Sequence, residues 1–392
     1  MSARSRQRSG GGALPPAGRH ERRAVVLERA VAAAELDEAA EGVRDYLNTL
    51  GILLRQFNRL HSTKNKDVSL KTMQDRQTFL VAFFHELRTQ THYRRLDPRQ
   101  LSNRHVQLMM SRWLERGLST ATIHNYLSFL RTFGSWIGKP GLIRRPSYYL
   151  GENSPHAHRS MAAVEDKSWT AKKVDIESKI AEVRELDSWV GLQLELCFRF
   201  GMRPKEARHF RPHESVVDRA HASAADAAAF PEVDEFVRIS RGTKGGRLRD
   251  VPLRTQAQRE LLERCRRCVA RGQHVAAPGK TTTQTRARFY YVVRQCGISK
   301  AELGVVAHGL RHQRANDDYG DDAGARSPVR GGDPRTPLAG AARDRAARHL
   351  GHGRREVTNC YLGPSRTIAP GLGFPDAANE ASVGHESEVP TP

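Results

Sequence analysis

The sequence has 392 residues, a length that accommodates two ordinary domains with additional terminal segments. It carries 64 Lys and Arg against 43 Asp and Glu, a formal net charge of +21, and its hydrophobic fraction is 38%. Such a chain repels itself when compact unless a polyanion binds it. The excess is uneven, because residues 51–150 hold 17 Lys and Arg but 5 Asp and Glu. This clustering favours a nucleic-acid partner over a uniformly basic surface, although charge alone does not separate DNA from RNA or an anionic membrane.

The cysteines and the N-terminal residues indicate an intracellular, reducing location. The five cysteines are Cys197, Cys265, Cys268, Cys296 and Cys360. Cys265 and Cys268 form a single C-x-x-C pair, and a zinc site needs four ligands, so incidental reduced thiols are the better interpretation. Residues 1–12 are polar and lack the apolar core of a signal peptide. No stretch approaches the length of a membrane span, so no membrane partner is expected.

The first part of the chain has the pattern of a helical bundle. Residues 1–20 are rich in Arg, Ser, Gly and Pro, a composition typical of disorder. Beyond them, apolar residues recur at steps of three and four, which predicts about four helices over 41–140 with Ser69 and Ser119 as N-caps. The predicted inward residues are Val43, Leu47, Leu50, Leu54, Phe57 and Leu60, then Leu70, Met73, Leu80, Phe84 and Leu87, then Val106, Met110, Trp113 and Leu114, then Ile123, Leu127, Leu130, Phe133 and Ile137. We interpret these stripes as core packing.

The second part combines helices with a short hairpin. Residues 141–168 are rich in Pro, Ser, His and Arg and are predicted to be a linker. Residues 236–241 and 248–253 have strand-like patterns on either side of a Gly-rich turn, which predicts a β-hairpin. Helices are predicted near 171–185, 187–201, 255–272 and 282–296. The fold class is therefore mainly α with a small antiparallel β-hairpin or sheet, an α+β arrangement in the second domain.

Three further segments lack a regular apolar period. Residues 219–230 are rich in Ala, His and Asp and are expected to form a surface insertion. Residues 317–342 are rich in Asp, Gly, Pro, Ala and Arg and are expected to be a loop or a disordered insertion. After Pro364 the chain is rich in Gly, Pro and acidic residues, and no fixed structure is expected there.

Four short motifs in the second part hold side chains suited to phosphate chemistry. They are Phe200-Gly-Met-Arg-Pro-Lys-Glu206, Gly242-Thr-Lys-Gly-Gly-Arg247, His308-Gly-Leu-Arg-His312, and Leu350-Gly-His352 with Tyr361 nine residues beyond. Together they supply two arginines, a lysine, several histidines and a tyrosine, without an acidic cluster for a metal. His308 and His312 could be read as zinc ligands, but no Glu follows His308 as in H-E-x-x-H, so neither a metal nor another cofactor is expected.

This inventory suits attack by a tyrosine on a phosphodiester. Arginine forks match the non-bridging oxygens bidentately and stay charged at any workable pH. A phenol with a pKa near 10 is only about one part in a thousand ionised at neutral pH, so it needs nearby cations or a base. A lysine on a mobile hairpin can protonate the leaving 5′-oxygen. No divalent metal is required when arginines neutralise the phosphate.

The order and internal spacing of these motifs closely resemble the tyrosine recombinase (phage integrase) family, over roughly 180–362. The preceding basic bundle is similar to the family's SAM-like core-binding domain. The resemblance implies a tail and helix lead-in at 1–40, a core-binding domain at 41–145, a linker at 146–168, a catalytic domain at 169–365 and a disordered tail at 366–392.

The resemblance also implies a role for each motif residue. Arg203 and Arg311 would clamp the scissile phosphate. Glu206 would brace the arginines, and Lys244 would be the general acid toward the leaving oxygen. The remaining catalytic residues are His308, which would hydrogen-bond the phosphate and help manage the tyrosine proton, His352, which would add another hydrogen bond, and Tyr361, which would form the 3′-phosphotyrosyl link.

The implied function is site-specific recombination of double-stranded DNA by a homo-tetramer, with two domains clamping the duplex and accessory DNA-bending proteins as possible partners. The implied location is the bacterial cytoplasm, with nucleoid association when the protein is bound to DNA. Two alternatives stay open: a catalytically impaired DNA-binding remnant of a mobile element, and a type IB topoisomerase-like nicking-closing enzyme. The remnant is suggested by a departure from the family, because Arg311 and His352 are 41 residues apart. The extra length coincides with 317–342 and could misplace the fourth motif.

Overall fold

The computed structural model describes residues 46–62 and 66–365 and divides the chain into two compact units, one ending at Ser160 and the other beginning at Met161. The predictions for 1–45, which include Val43, and for the tail after residue 365 lie outside the described residues. In the described part of the chain, no helix has both the length and the hydropathy that crossing a membrane requires.

The first unit is a bundle of helices. They are α1 (Tyr46–Phe57), α2 (Leu70–Thr89), α3 (Asn103–Glu115), α4 (Thr120–Trp136) and the short α5 (Pro146–Leu150). Two predicted N-caps are confirmed: the Ser69 hydroxyl accepts the backbone N–H of Thr72, and the Ser119 hydroxyl accepts that of Thr122. Each cap satisfies a backbone donor that the first turn leaves without a partner, which fixes where the helix begins.

Aromatic side chains fill the centre of this bundle. Trp113, Phe84 and Phe133 are almost wholly buried, and the rings of Phe84 and Phe133 lie 5.3 Å apart. Most predicted inward positions are buried or half-buried, but three are exposed: Leu47 is 45% exposed, Leu70 83% and Leu114 37%. Leu70 is the first residue of α2, where the helix has not yet reached the bundle, and the neighbouring Trp113 occupies the core in place of Leu114.

The second unit surrounds a helix that is buried on most of its faces. Its elements are α6 (Ile176–Leu186), α7 (Ser188–Phe200), α8 (Pro204–Arg208), β1 (Val216–Asp218), α9 (Ala224–Ala229), β2 (Glu235–Ile239), β3 (Arg249–Pro252), α10 (Gln256–Cys268), α11 (Thr282–Gln295), α12 (Gly309–Ala323), α13 (Ala339–His349) and α14 (Asn359–Leu362). Helix α7 packs against α6, α8, α10, α11 and α12. Its C-terminus therefore delivers the first motif to the interior of the unit.

The strands form one antiparallel sheet in the order β1-β2-β3, with Val237 opposite both Val216 and Val251. The predicted hairpin is strands β2 and β3, whereas β1 was not predicted because it has only three residues. The predicted fold class, mainly helical with a small antiparallel sheet, is confirmed.

The expectation of a loop or disordered insertion over 317–342 is wrong for its two ends, which are helical, whereas 324–338 is a connection between helices. Helix α12 continues to Ala323, a 3-10 turn spans Pro328–Arg330, and α13 begins at Ala339. The residues that pack these two helices together are mostly small: Ala315, Tyr319, Ala323, Ala339, Ala342, Ala346 and Leu350. Alanine buries little surface per residue, so the hydrophobic period of these helices is weak in the sequence although the backbones pack closely.

Residues 219–230 are mostly exposed or half-buried, as expected of a surface segment, but Asp226 and Phe230 are buried. Helix α9 packs against β3 and α13, and Phe230 is buried with Val233 and Phe236. The Asp226 carboxylate accepts the backbone N–H of Asp250 in β3. These contacts were not predicted because the segment is polar, and one of the contacts is made by an aspartate and not by an apolar side chain.

Ala342 provides a test of the α12–α13 packing. We expect Ala342→Leu to lower the free energy of unfolding of the second unit by about 1–3 kcal/mol, because the added methylenes have no space between the helices. The measurement is urea denaturation followed by circular dichroism. The matched control is Ala341→Leu on the exposed face of α13, which should change stability by less than about 0.5 kcal/mol. Equal effects of the two substitutions would contradict the packing.

Candidate active site

Glu206 organises the first motif at the turn between α7 and α8. Helix α7 ends at Gly201, whose φ of 57° reverses the chain, and Arg203 is the N-cap of α8. The Glu206 carboxylate accepts the backbone N–H of Arg203 at 2.7 Å through Oε2 and the Arg203 Nη1 at 2.7 Å through Oε1. One buried carboxylate therefore fixes both the backbone and the guanidinium of Arg203.

The same carboxylate binds two further arginines. Arg249 of β3 donates from Nη1 and Nη2 to the two Glu206 oxygens at 2.9 and 2.7 Å, and Arg311 Nη1 lies 3.9 Å from Oε2. Burial alone would raise the pKa of Glu206, but Arg249, Arg311 and Arg203 together hold it well below its usual range. Glu206 is thus a permanent anion at the centre of three cations.

Arg311 lies at the N-terminal end of α12 and is fully buried. It donates to the backbone carbonyls of Gly201 and Leu350, and its Nε donates to the Tyr361 hydroxyl at 3.2 Å. His352 Nε2 lies 3.5 Å from Arg311 Nη2. Arg311 therefore links the first, third and fourth motifs, and the 41-residue spacing before His352 does not displace the fourth motif from the others.

Three imidazoles surround the Tyr361 ring, which α14 holds at 5% exposure. The ring centroids of His308, His312 and His352 lie 6.1, 4.5 and 5.4 Å from that of Tyr361. Loss of solvation, with repulsion from neighbouring cations, lowers the pKa of all three histidines, that of His312 to about 3. All three imidazoles are therefore neutral at pH 7 in the free protein.

Lys244 lies at the tip of the β2–β3 hairpin, close to Arg203. The hairpin turn packs on α8, because a Cβ on Gly242 would lie 2.8 Å from the Lys205 carbonyl oxygen, and the φ of Gly242 is 72°. Desolvation and repulsion from Arg203 lower the pKa of the Lys244 ammonium below its ordinary value. An ammonium with a lowered pKa is a better proton donor than an ordinary lysine.

All seven predicted site residues thus lie in one region of the second unit, while their roles stay predictions. The sequence reasoning missed Arg249, the first residue of the second hairpin strand, where a charged residue would normally face solvent. It also missed that Gly351 of the fourth motif approaches Arg249 so closely that a Cβ would lie 2.8 Å from Arg249 Cδ. The available signal was a charged pair, Arg249 and Asp250, within a strand of only four residues.

A buried ion pair supports the site from behind. His349 Nδ1 lies 2.8 Å from Asp318 Oδ2, and Arg314 also pairs with Asp318. Burial alone would raise the pKa of Asp318, but Arg314 and His349 lower it well below its usual range. Within residues 46–62 and 66–365, no group of three or more His, Cys, Asp or Glu side chains is arranged to hold a metal ion.

Comparison with known proteins adds a family match. Residues 51–143 match the family model described as phage integrase, N-terminal. The resemblance to the tyrosine recombinase (phage integrase) family is confirmed. The match covers most of α1 and all of α2–α4, so this part of the first unit is similar to a phage integrase N-terminal domain. None of the curated proteins matches the sequence at a significant level.

Solved integrase structures are similar to the chain at low identity. A lambda integrase tetramer bound to a Holliday junction is 16% identical, with 82% of this chain and 78% of that chain covered and a TM-score of 0.48. A lambda integrase fragment bound to DNA is 17% identical, with coverages of 78% and 91% and a TM-score of 0.44. The Tn1549 transposon integrase in complex with transposon right end DNA is 13% identical, with coverages of 80% and 94% and a TM-score of 0.47.

Glu206→Gln tests the central carboxylate. At pH 7 we expect the free energy of unfolding of the second unit to fall by about 3–5 kcal/mol, because the buried arginines lose their counter-charge. The pKa of Glu206 is depressed from 4.5 in the folded state, so its contribution is complete above pH 4.5 and declines as the pH falls toward the folded value. The wild type is more stable than the variant at pH 7, and this difference in the free energy of unfolding should shrink by roughly 2 kcal/mol when the pH is lowered to 3.

The measurement is urea denaturation at both pH values, with hydrogen-exchange mass spectrometry of α7 to assign the transition of the second unit. Glu263→Gln is the matched control, since Glu263 pairs with Arg266 at the surface and is 57% exposed. This control substitution should lower the free energy of unfolding by less than about 1 kcal/mol at either pH. A constant difference between wild type and Glu206→Gln across this range would contradict the depressed pKa.

Proposed function

We propose that the protein is a site-specific DNA recombinase that cleaves and rejoins DNA through a 3′-phosphotyrosyl intermediate, with Tyr361 as the nucleophile. The observation that carries the proposal is the hydrogen bond from Arg311 to the Tyr361 hydroxyl, within a cluster where Arg311 and Arg203 both contact Glu206. A tyrosine hydroxyl held beside two arginines is the arrangement that attack on a phosphodiester requires.

The charges of the cluster favour an anionic ligand. Arg203, Arg249 and Arg311 contribute three positive charges, whereas Glu206 contributes one negative charge. Arg249 uses both terminal nitrogens on Glu206, but Arg203 uses only Nη1 on it and keeps 22% side-chain exposure. Arg203 and Arg311 would bind the non-bridging oxygens of the scissile phosphate, where negative charge accumulates in the transition state.

The proton transfers follow from the neighbouring groups. The Tyr361 oxygen forms a bond to phosphorus while the bond from phosphorus to the 5′-oxygen breaks, and Lys244 protonates the 5′-oxygen. The Tyr361 proton passes to His308 or His352, both neutral and therefore able to accept it. A bound phosphate raises the basicity of these imidazoles by adding negative charge beside them. The phosphotyrosyl bond conserves the bond energy, so rejoining is the reverse reaction and needs no ATP.

The phage integrase N-terminal match supports a DNA-binding role for the first unit, so the two units would act as core-binding and catalytic domains. Exchange of both strands between two duplexes needs four nucleophiles, which four copies of a chain with one Tyr361 would supply. We therefore propose a homo-tetramer on double-stranded DNA, with DNA-bending proteins as additional partners. The proposed location is the bacterial cytoplasm, in association with the nucleoid.

Tyr361→Phe tests the nucleophile. Nicked duplexes tiled from the DNA flanking the gene would be incubated with the protein and separated on a denaturing gel. We expect wild type to give a covalent protein–DNA band and Tyr361→Phe to give none while it binds the same duplexes on a native gel, since only the attacking oxygen is lost. Tyr148→Phe, at a tyrosine that is 63% exposed in the first unit, is the matched control and should keep the band.

The outcomes separate the alternative functions. A covalent band with Tyr361→Phe would contradict the nucleophile assignment. Binding without a covalent band for the wild type would favour the inactive remnant. Relaxation of a supercoiled plasmid that lacks any recombination site would favour the nicking-closing enzyme.

Lys244→Ala tests the general acid. We expect cleavage to slow by about 10²–10⁴-fold on ordinary DNA and to recover to near the wild-type rate when sulfur replaces the bridging 5′-oxygen. A thiolate leaves without a proton, so the acid is no longer needed. Single-turnover rates on both substrates are the measurement. Lys205→Ala, a neighbouring exposed lysine, should affect both substrates equally. Failure of the sulfur substrate to rescue Lys244→Ala would exclude this role.

A further inference from the structure

The segment between the third and fourth motifs contacts the short helix that carries Tyr361. Helix α14 has only four residues and is not stabilised by its own length, because a single turn forms one or two backbone hydrogen bonds. Its position must therefore come from tertiary contacts. Several of these contacts are made by α12, α13 and the connection 324–338, the part of the chain that gives the 41-residue spacing.

A buried hydrogen-bond chain reaches the backbone of the nucleophile itself. The Ser327 hydroxyl, fully buried, donates to Asn316 Oδ1, and Asn316 Nδ2 donates to the Tyr361 carbonyl at 3.2 Å and to the His312 carbonyl at 2.9 Å. Ser327 thus fixes the orientation of the Asn316 amide, and that amide joins Tyr361 to the helix that carries Arg311. The Tyr361–Arg311 distance depends on this link.

A buried arginine of α13 holds both ends of α14. Arg343 Nη1 donates to Asn359 Oδ1 at 2.8 Å and to the Gly363 carbonyl at 3.2 Å, and its Nη2 donates to the Pro364 carbonyl at 2.8 Å. These acceptors lie at the first residue of α14 and just beyond its last, so one guanidinium spans the helix.

The connection also packs directly behind α14. Gly363, with a φ of 81°, approaches Val329 so closely that a Cβ would lie 2.8 Å from the Val329 nitrogen. Arg330 then fastens the connection, since it donates to Asp166, Asp317 and Ser168 at 2.9–3.0 Å. The Val329–Gly363 contact adds to the Ser327–Asn316 chain, and the Arg330 hydrogen bonds hold in place the turn that makes this contact.

We propose that Asn316, Ser327 and Arg343 are positioning residues that hold α14 and fix the Tyr361 hydroxyl against Arg311, with the connection 324–338 as their support. The inference depends on the proposed function only in taking Tyr361 as the nucleophile. The extra residues between Arg311 and His352 would thus support the helix that carries Tyr361. Asn316 contacts the backbone of Tyr361, Ser327 acts through Asn316, and Arg343 contacts the residues on either side of α14.

Cys360 provides a reporter that needs no DNA substrate. Its thiol lies one residue before Tyr361 and donates to the Val357 carbonyl at 3.0 Å, and burial raises its pKa to about 11. We expect Asn316→Ala and Ser327→Ala to raise the labelling rate of Cys360 by about tenfold, since each removes a buried hydrogen bond that keeps α14 in place. The measurement is mass spectrometry of proteolytic peptides after timed alkylation of the full-length protein at pH 8, which follows each thiol separately.

Internal controls separate release of α14 from general unfolding. Cys197, Cys265 and Cys296 are buried elsewhere in the second unit and should keep their wild-type rates. Asp333→Ala is the matched control variant, because Asp333 lies in the same connection and pairs only with the exposed Arg335. An unchanged rate at Cys360, or equal acceleration at all four thiols, would overturn the proposal.

The kinetic consequence is measured separately. Ser327→Ala should slow covalent adduct formation by about tenfold in single-turnover experiments at saturating DNA and leave DNA affinity unchanged, because Ser327 acts on the position of Tyr361 alone. Weaker DNA binding with an unchanged cleavage rate would overturn it. If the wild type forms no adduct, the proposed function fails, while the Cys360 labelling still decides whether these residues hold α14.

Discussion

The second unit depends on one buried carboxylate. Glu206 caps α8 through the backbone of Arg203, binds Arg249 of the sheet with both oxygens, and lies 3.9 Å from Arg311 of α12. A helix start, a strand and a second helix therefore meet at one anion. A buried guanidinium strongly destabilises a fold when it lacks a counter-charge. Separating the three elements would take the Glu206 carboxylate away from the arginines, so this pairing holds the elements together. The same ion cluster that stabilises the fold sets the geometry of the site.

This cluster holds more positive than negative charge, and the imbalance adds to desolvation in lowering the pKa values of the surrounding histidines. Two positive charges remain uncompensated among the four side chains, and they repel protons from His308 and His352, whose pKa values are lowered by desolvation and by the arginines. A phosphodiester would supply the missing charge. In the proposed function the substrate thus completes the electrostatics of the site, and the imidazoles become basic only when the group to be attacked is present.

The sequence predicted the elements whose signals are local. Ser69 and Ser119 cap helices because hydroxyl side chains satisfy nearby amides, and the hairpin follows from alternation around a Gly-rich turn. The four motifs led to the seven predicted site residues through their resemblance to a family whose motifs have the same order and internal spacing, and the structure places these residues in one region of the second unit. The α12–α13 packing was missed, since it relies on alanines whose small side chains leave no strong apolar period. Arg249 was missed because its partner, Glu206, is 43 residues away in the chain.

The missed features matter because they act on Tyr361, the proposed nucleophile. A four-residue helix has almost no stability of its own, so the accuracy with which Tyr361 faces Arg311 is set by neighbours that sequence patterns do not reveal. Small side chains let α12 and α13 approach closely, and that approach brings Asn316 and Arg343 within hydrogen-bonding distance of α14. Larger core residues would have given a clearer sequence signal and a wider gap between the helices. The weak apolar pattern and the firm support of α14 therefore have the same physical cause.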